Sequence, residues 1–105
     1  MNAYIRFKLA IAEDEPTVKP YNEAVWAELP DAKAPVQASL RLLESLHERW
    51  VTFLSSFASE WWGRKFRHPE HDAPIGLDRS VMMYAWHGKH HLAHVTALIE
   101  REGWK

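Results

Sequence analysis

The run Leu77-Asp78-Arg79-Ser80-Val81-Met82-Met83-Tyr84-Ala85-Trp86-His87-Gly88-Lys89-His90-His91-Leu92-Ala93-His94-Val95, continuing to Glu102-Gly103, decides the fold. No proline interrupts it, Asp78 sits where a helix dipole favours a carboxylate, and Gly103 offers a C-terminal stop. These features predict one helix over 77–102. Each residue of such a helix advances about 100°, so His87 and His91 lie about 40° apart and one turn apart in height. Their imidazoles can converge on one point. Neutral imidazole binds zinc and also suits nickel, copper and iron, and a pair at i, i+4 offers two ligands to one ion. The same arithmetic brings Tyr84, His94, Val95 and Leu98 near this arc, which is therefore expected to be the buried side. His90, about 60° off the line, is expected at the edge or in solvent with Lys89. The bland alternative is a satisfied histidine pair without metal, and the pattern by itself leaves both open.

Outward from this helix, Val36, Leu40, Leu43, His47, Trp50, Leu54 and Phe57 recur at steps of three and four. They predict a long amphipathic helix over 35–59 with Pro35 in its first position. Tyr4 to Ala12 reads as a short helix with Ile5, Leu9 and Ala12 on one face. Between Pro16 and Pro35 four prolines leave room for one or two helical turns at most, Tyr21 to Glu28, with Asn22 as the cap. Residues 64–74 read as an irregular loop with a short extended piece at Lys65-Phe66-Arg67. The fold class is all-α, in a single domain.

Composition narrows the function. The 105 residues are 47% apolar and 26% charged, which is ordinary for a globular domain. A net charge of −1 supplies no field to hold a polyanion, so nucleic acid is an unexpected partner. No apolar run approaches the roughly 18 residues of a membrane span, and no secretory h-region follows Met1. Cysteine is absent, which removes thiolate metal sites and fits a cytoplasmic location.

Other candidates are weaker. The metalloprotease pattern of two histidines flanking a glutamate is missing, because Gly88-Lys89-His90 separates His87 from His91. His47 is either a pocket group or a core histidine bonded to a backbone carbonyl. His68-Pro69-Glu70-His71-Asp72 reads as a solvated polar loop, and Glu13-Asp14-Glu15 as a solvated helix exit. Trp61, Trp62 and Trp86 read as core or interface. No phosphate-binding glycine loop or nucleophile elbow occurs.

Five blocks carry a resemblance: Tyr4-Ile5-Arg6-Phe7-Lys8-Leu9; Lys19-Pro20-Tyr21 with Trp26-Ala27-Glu28-Leu29; Leu46-His47-Glu48-Arg49-Trp50; His68-Pro69-Glu70; and Tyr84-Ala85-Trp86-His87 through His94 to Arg101-Glu102-Gly103-Trp104. Together they resemble the YfiT-like branch of the DinB superfamily, collinearly over essentially the whole chain. The last block is the most specific. The resemblance implies a four-helix bundle that holds a divalent ion, zinc or nickel, with three histidines, in a homodimer. It also implies metal-dependent hydrolysis of a small molecule, with water on the metal as nucleophile. Relatives transfer low-molecular-weight thiols such as bacillithiol, which makes thiol transfer the alternative reaction. Carried over by position, two of the family's ligands fall on His87 and His91. The third lies upstream of the segment resembling Met1-Asn2-Ala3-Tyr4. The expected domain is thus a partial bundle lacking its N-terminal helix or helices: 1–12 the end of a helix, 35–59 the long helix, 77–102 the metal-ligand helix. A further alternative is a truncated helical module without catalysis. No catalytic residue or general base is assigned. Uncovered apolar faces in a partial bundle predict self-association.

Overall fold

The computed structural model describes residues 1–105. Four α-helices follow one another: α1 (Asn2–Ala12), α2 (Glu23–Ala27), α3 (Val36–Ser55) and α4 (Leu77–Glu102). Between α3 and α4 lie a 3-10 turn, Ser59–Gly63, and two short strands, β1 (Lys65–Phe66) and β2 (Ile75–Gly76). The chain is helical, as its periodicity requires. No helix is long and apolar enough to cross a membrane.

Local chemistry sets the helix ends. Asn22 caps α2, its Oδ1 accepting the Val25 N–H at 3.1 Å. Gly103 ends α4 at φ +65°, a left-handed conformation in which a Cβ is penalised, while the Trp104 N–H reaches back to the Ile99 carbonyl at 3.0 Å. The long helix is shorter than the expected 35–59. Pro35 is its extended N-cap rather than its first helical residue, and the helix stops at Ser55. There the Ser56 hydroxyl donates to the Phe53 carbonyl at 2.7 Å, a local bond that competes with continued helix.

The core collects where chain segments distant in sequence meet. Phe7, Ala10, Val18, Phe66 and Leu77 are buried, and Trp50, Phe53, Leu54, Phe57, Ile75, Val81 and Tyr84 pack around them. The face of α1 differs from expectation: Phe7 and Ala10 point inward, whereas Ile5 is half exposed and Ala12 is exposed. The reason is Phe7, whose ring meets Trp50 at 5.4 Å, Tyr84 at 6.4 Å and Phe57 at 6.5 Å. An aromatic body buries more area than the aliphatic positions beside it, so it sets the rotation of the helix.

A ribbon ties α1 to the start of α4. β1 and β2 pair antiparallel, Lys65 opposite Gly76 and Phe66 opposite Ile75. β1 was legible as an extended piece; β2 was not. On the other side the 16–18 segment joins the ribbon, with Val18 N–H to Arg67 carbonyl and Arg67 N–H to Pro16 carbonyl both at 2.9 Å. Arg64 reaches back to α1, its Nε donating to the Ala10 carbonyl at 2.8 Å and its Nη2 to the Glu13 carbonyl. These are helix-terminal carbonyls, so a guanidinium there satisfies orphan acceptors and complements the helix dipole.

Beyond this knot the molecule is open. The radius of gyration is 16.3 Å, against about 13 Å for a compact chain of this length. The accessible surface is 8430 Å², against about 6,100 Å² for a compact monomer of this mass. The excess lies on α3 and α4, where Val36, Leu40, Leu43, Leu92 and Val95 are each at least half exposed.

Candidate metal centre

The C-terminal two-thirds of α4 lies past the core. Leu77 and Ser80 are buried and Val81 and Tyr84 are half-buried, but every residue from Ala85 onward is exposed. This corrects the expectation that the arc of His87, His91, His94, Val95 and Leu98 is the buried side. The helix places these residues on neighbouring turns as computed, yet its packing ends at Tyr84 and nothing covers the rest.

Within that exposed segment the histidines form two pairs. Nε2 of His91 lies 2.7 Å from Nε2 of His87. Nε2 of His94 lies 3.0 Å from Nε2 of His90. Each pair is an i, i+4 contact on one helix, so both follow from the helical repeat. The arc that sets His94 beside His87 and His91 hides the second pair, although the 90/94 spacing is identical. His90 is exposed, as expected, and Trp86 stacks on it at 4.7 Å and 17°. The His90 pKa lies below the ordinary histidine value; water lost from the ring comes first among the causes, then repulsion from the charges His94, His91 and His87 would carry. The ring remains exposed, so Trp86 removes water from one face only.

The geometry suits a metal in part. Two imidazole nitrogens on one tetrahedral zinc, each about 2.0–2.1 Å from it, stand roughly 3.3 Å apart. The His87–His91 separation of 2.7 Å is about 0.6 Å shorter, so the rings would have to part to admit an ion. Both residues lie on an exposed stretch of the helix. They supply two donors. No three side chains among His, Cys, Asp and Glu gather into a set able to hold an ion, so the donor set here is incomplete.

His47 lies across from this helix on α3. It is exposed rather than in a core, and its Nδ1 meets the Leu43 carbonyl at 2.8 Å. With Trp50, Leu54, Val81, Tyr84 and Gly88 it lines an apolar groove of about 370 Å³ between α3 and α4. The 68–72 loop departs from expectation at one residue. His68 is only 9% exposed, while Glu70, His71 and Asp72 are solvated as read. Nη2 of Arg6, from α1, lies 3.5 Å from Nε2 of His68, a tertiary contact that the local sequence does not announce.

Residues 1–95 match the DinB superfamily. The chain belongs to the DinB superfamily. Within it, the chain is 54% identical over 104 residues to a Bacillus cereus protein and 50% identical over 104 residues to one from Oceanobacillus iheyensis, both named as candidate metal-dependent hydrolases. Each comparison covers 99% of this chain and 60% of the relative, so the chain spans about three fifths of the length of the curated relatives it matches. Among solved structures it is similar to YfiT from Bacillus subtilis, described as a probable metal-dependent hydrolase with an unusual four-helix bundle topology. The TM-score is 0.94 at 43% identity, covering 100% of this chain and 61% of YfiT. The all-α fold, which matches part of the YfiT four-helix bundle, and the family resemblance read from the sequence are thereby established for this DinB chain.

Proposed function

We propose that this chain serves a divalent-metal-dependent hydrolase acting on a small molecule, with His87 and His91 holding the ion through Nε2. The observation that carries the reading is the convergence of those two nitrogens to 2.7 Å on one helix face. The names borne by the relatives support the reaction class. A bound zinc or nickel would supply Lewis-acid activation of water at neutral pH. The chain's own residues do the rest: the two imidazoles orient the ion, and the groove between Trp50, Leu54 and Tyr84 offers apolar room for the body of a substrate. A homodimer in the cytoplasm completes the proposal, the uncovered faces of α3 and α4 being its natural contact surface.

The test loads the chain with zinc or nickel and reads bound metal by elemental analysis after dialysis. His87→Ala and His91→Ala should each lose most of it. Retention of stoichiometric metal by the double variant overturns the ligand assignment. A panel of amides and esters, beside a thiol-plus-electrophile pair, then separates hydrolysis from thiol transfer. The missing third donor favours one other reading, a helical module that does not catalyse. Metal bound tightly with no turnover on either panel would select it.

A further inference from the structure

A second cavity lies apart from the histidine pairs and uses none of their residues. It measures about 590 Å³ and is lined by Arg6 of α1, Pro20, Tyr21 and Asn22, Glu23 at the start of α2, and His68 and Glu70 of the loop after β1. Its lining is more polar than apolar. At its wall stands His68, 9% exposed. The Glu70 backbone N–H, which can only donate, meets His68 Nδ1 at 3.3 Å. Nδ1 therefore accepts, and the neutral ring carries its proton on Nε2. That Nε2–H faces Nη2 of Arg6 at 3.5 Å. Arginine has no acceptor, so two donors face one another across this contact.

The rest of the cavity sharpens the point. Arg6 makes no ion pair: those of the other cations involve Lys33, Arg64, Arg67 and Arg101, and Oε2 of Glu70 lies 3.9 Å from Nδ1 of His68. Asn22 spends its Oδ1 on capping α2, which leaves its Nδ2 to donate. Glu23 and Glu70 place carboxylates on the same wall. We infer that this cavity binds a small carboxylate, held by the Arg6 guanidinium and the His68 Nε2–H, whose body carries an ammonium or hydroxyl donor toward Glu23 and Glu70. A planar carboxylate fits the guanidinium fork with two parallel bonds. A single negative charge suits the site better than phosphate, because the two glutamates repel a dianion. A cavity of this size holds a molecule well beyond a lone ion.

The probes are glycine, glycolate, acetate and inorganic phosphate, titrated into the full chain while the ring nitrogens of His68 are followed by long-range proton–nitrogen NMR. The free protein should show the Nε2–H tautomer. Glycine and glycolate should shift the His68 signals with saturation, acetate more weakly, and phosphate least. Arg6→Gln should weaken glycolate binding about tenfold or more, as expected for loss of a charge-assisted bond. Arg6→Lys, which keeps the charge without the fork, should fall between the two and serves if Arg6→Gln does not fold. An Nδ1–H tautomer in the free protein, phosphate binding tighter than glycolate, or His68 signals unmoved by every carboxylate would overturn the inference.

Discussion

The two ends of α4 make the sharpest contrast in this molecule. Its first two turns bury Leu77 and Ser80 beside α1 and the ribbon, while its later turns carry four exposed histidines. The same helix thus serves packing at one end and presents ligands at the other. The difference teaches that a regular amphipathic repeat fixes which residues share a face, but the neighbours decide whether that face is dry. In the knot around Phe7, four segments of chain supply those neighbours; beside His91, none does.

The strongest way to break the contrast is to delete the knot. Phe7→Ala removes the fully buried ring at its centre and should cost about 3–5 kcal/mol, enough to unfold much of a marginal chain. Leu92→Ala, at the open end, should change stability by less than about 0.5 kcal/mol. Denaturant unfolding compares the two, and equal losses would erase the distinction. Next in size, Arg64→Ala should cost about 1–3 kcal/mol, since it strips the carbonyls of Ala10 and Glu13 of their donor. Circular dichroism should show the loss as an earlier melt. Gly103→Ala follows at about 1 kcal/mol, because its φ of +65° strains any Cβ. Smallest is a sharpening at the open end: the His90 ring should titrate below the ordinary histidine value, read from its proton shifts. Any stability it confers is present above the unfolded-state pKa of 6.5 and fades as pH falls toward its lower folded value. Trp86→Ala, which uncovers the ring, should move that titration upward.

How much of this was legible varied with the range of the cause. The bounds of α4 follow from Gly103, Asp78 and a run free of proline, all local, and the structure places them at 77–102. The Asn22 cap was equally local. The inward face of α1 is not legible locally, because Phe7 wins its place through rings 43 to 77 positions away, at Trp50, Phe57 and Tyr84. β2 is two residues long, too short to carry any alternation, and exists only because β1 pairs with it. At the candidate site, the His87–His91 adjacency is helix geometry and could be computed. Its exposure could not, because burial depends on what α3 leaves uncovered. His68 shows the reverse: a buried polar loop residue that meets an arginine 62 positions earlier.

The Arg64 clamp joins residues 51 and 54 positions apart in the chain. Its consequence is for the order in which the molecule breathes. The last turn of α1 cannot loosen without freeing that guanidinium, and the guanidinium cannot leave without disturbing the Leu77 N–H to Arg64 carbonyl bond, 3.0 Å, that anchors the start of α4. The amides of these three places should therefore exchange with solvent deuterium together, as one cooperative unit. Those from His90 to Glu102 should exchange far sooner, by fraying alone.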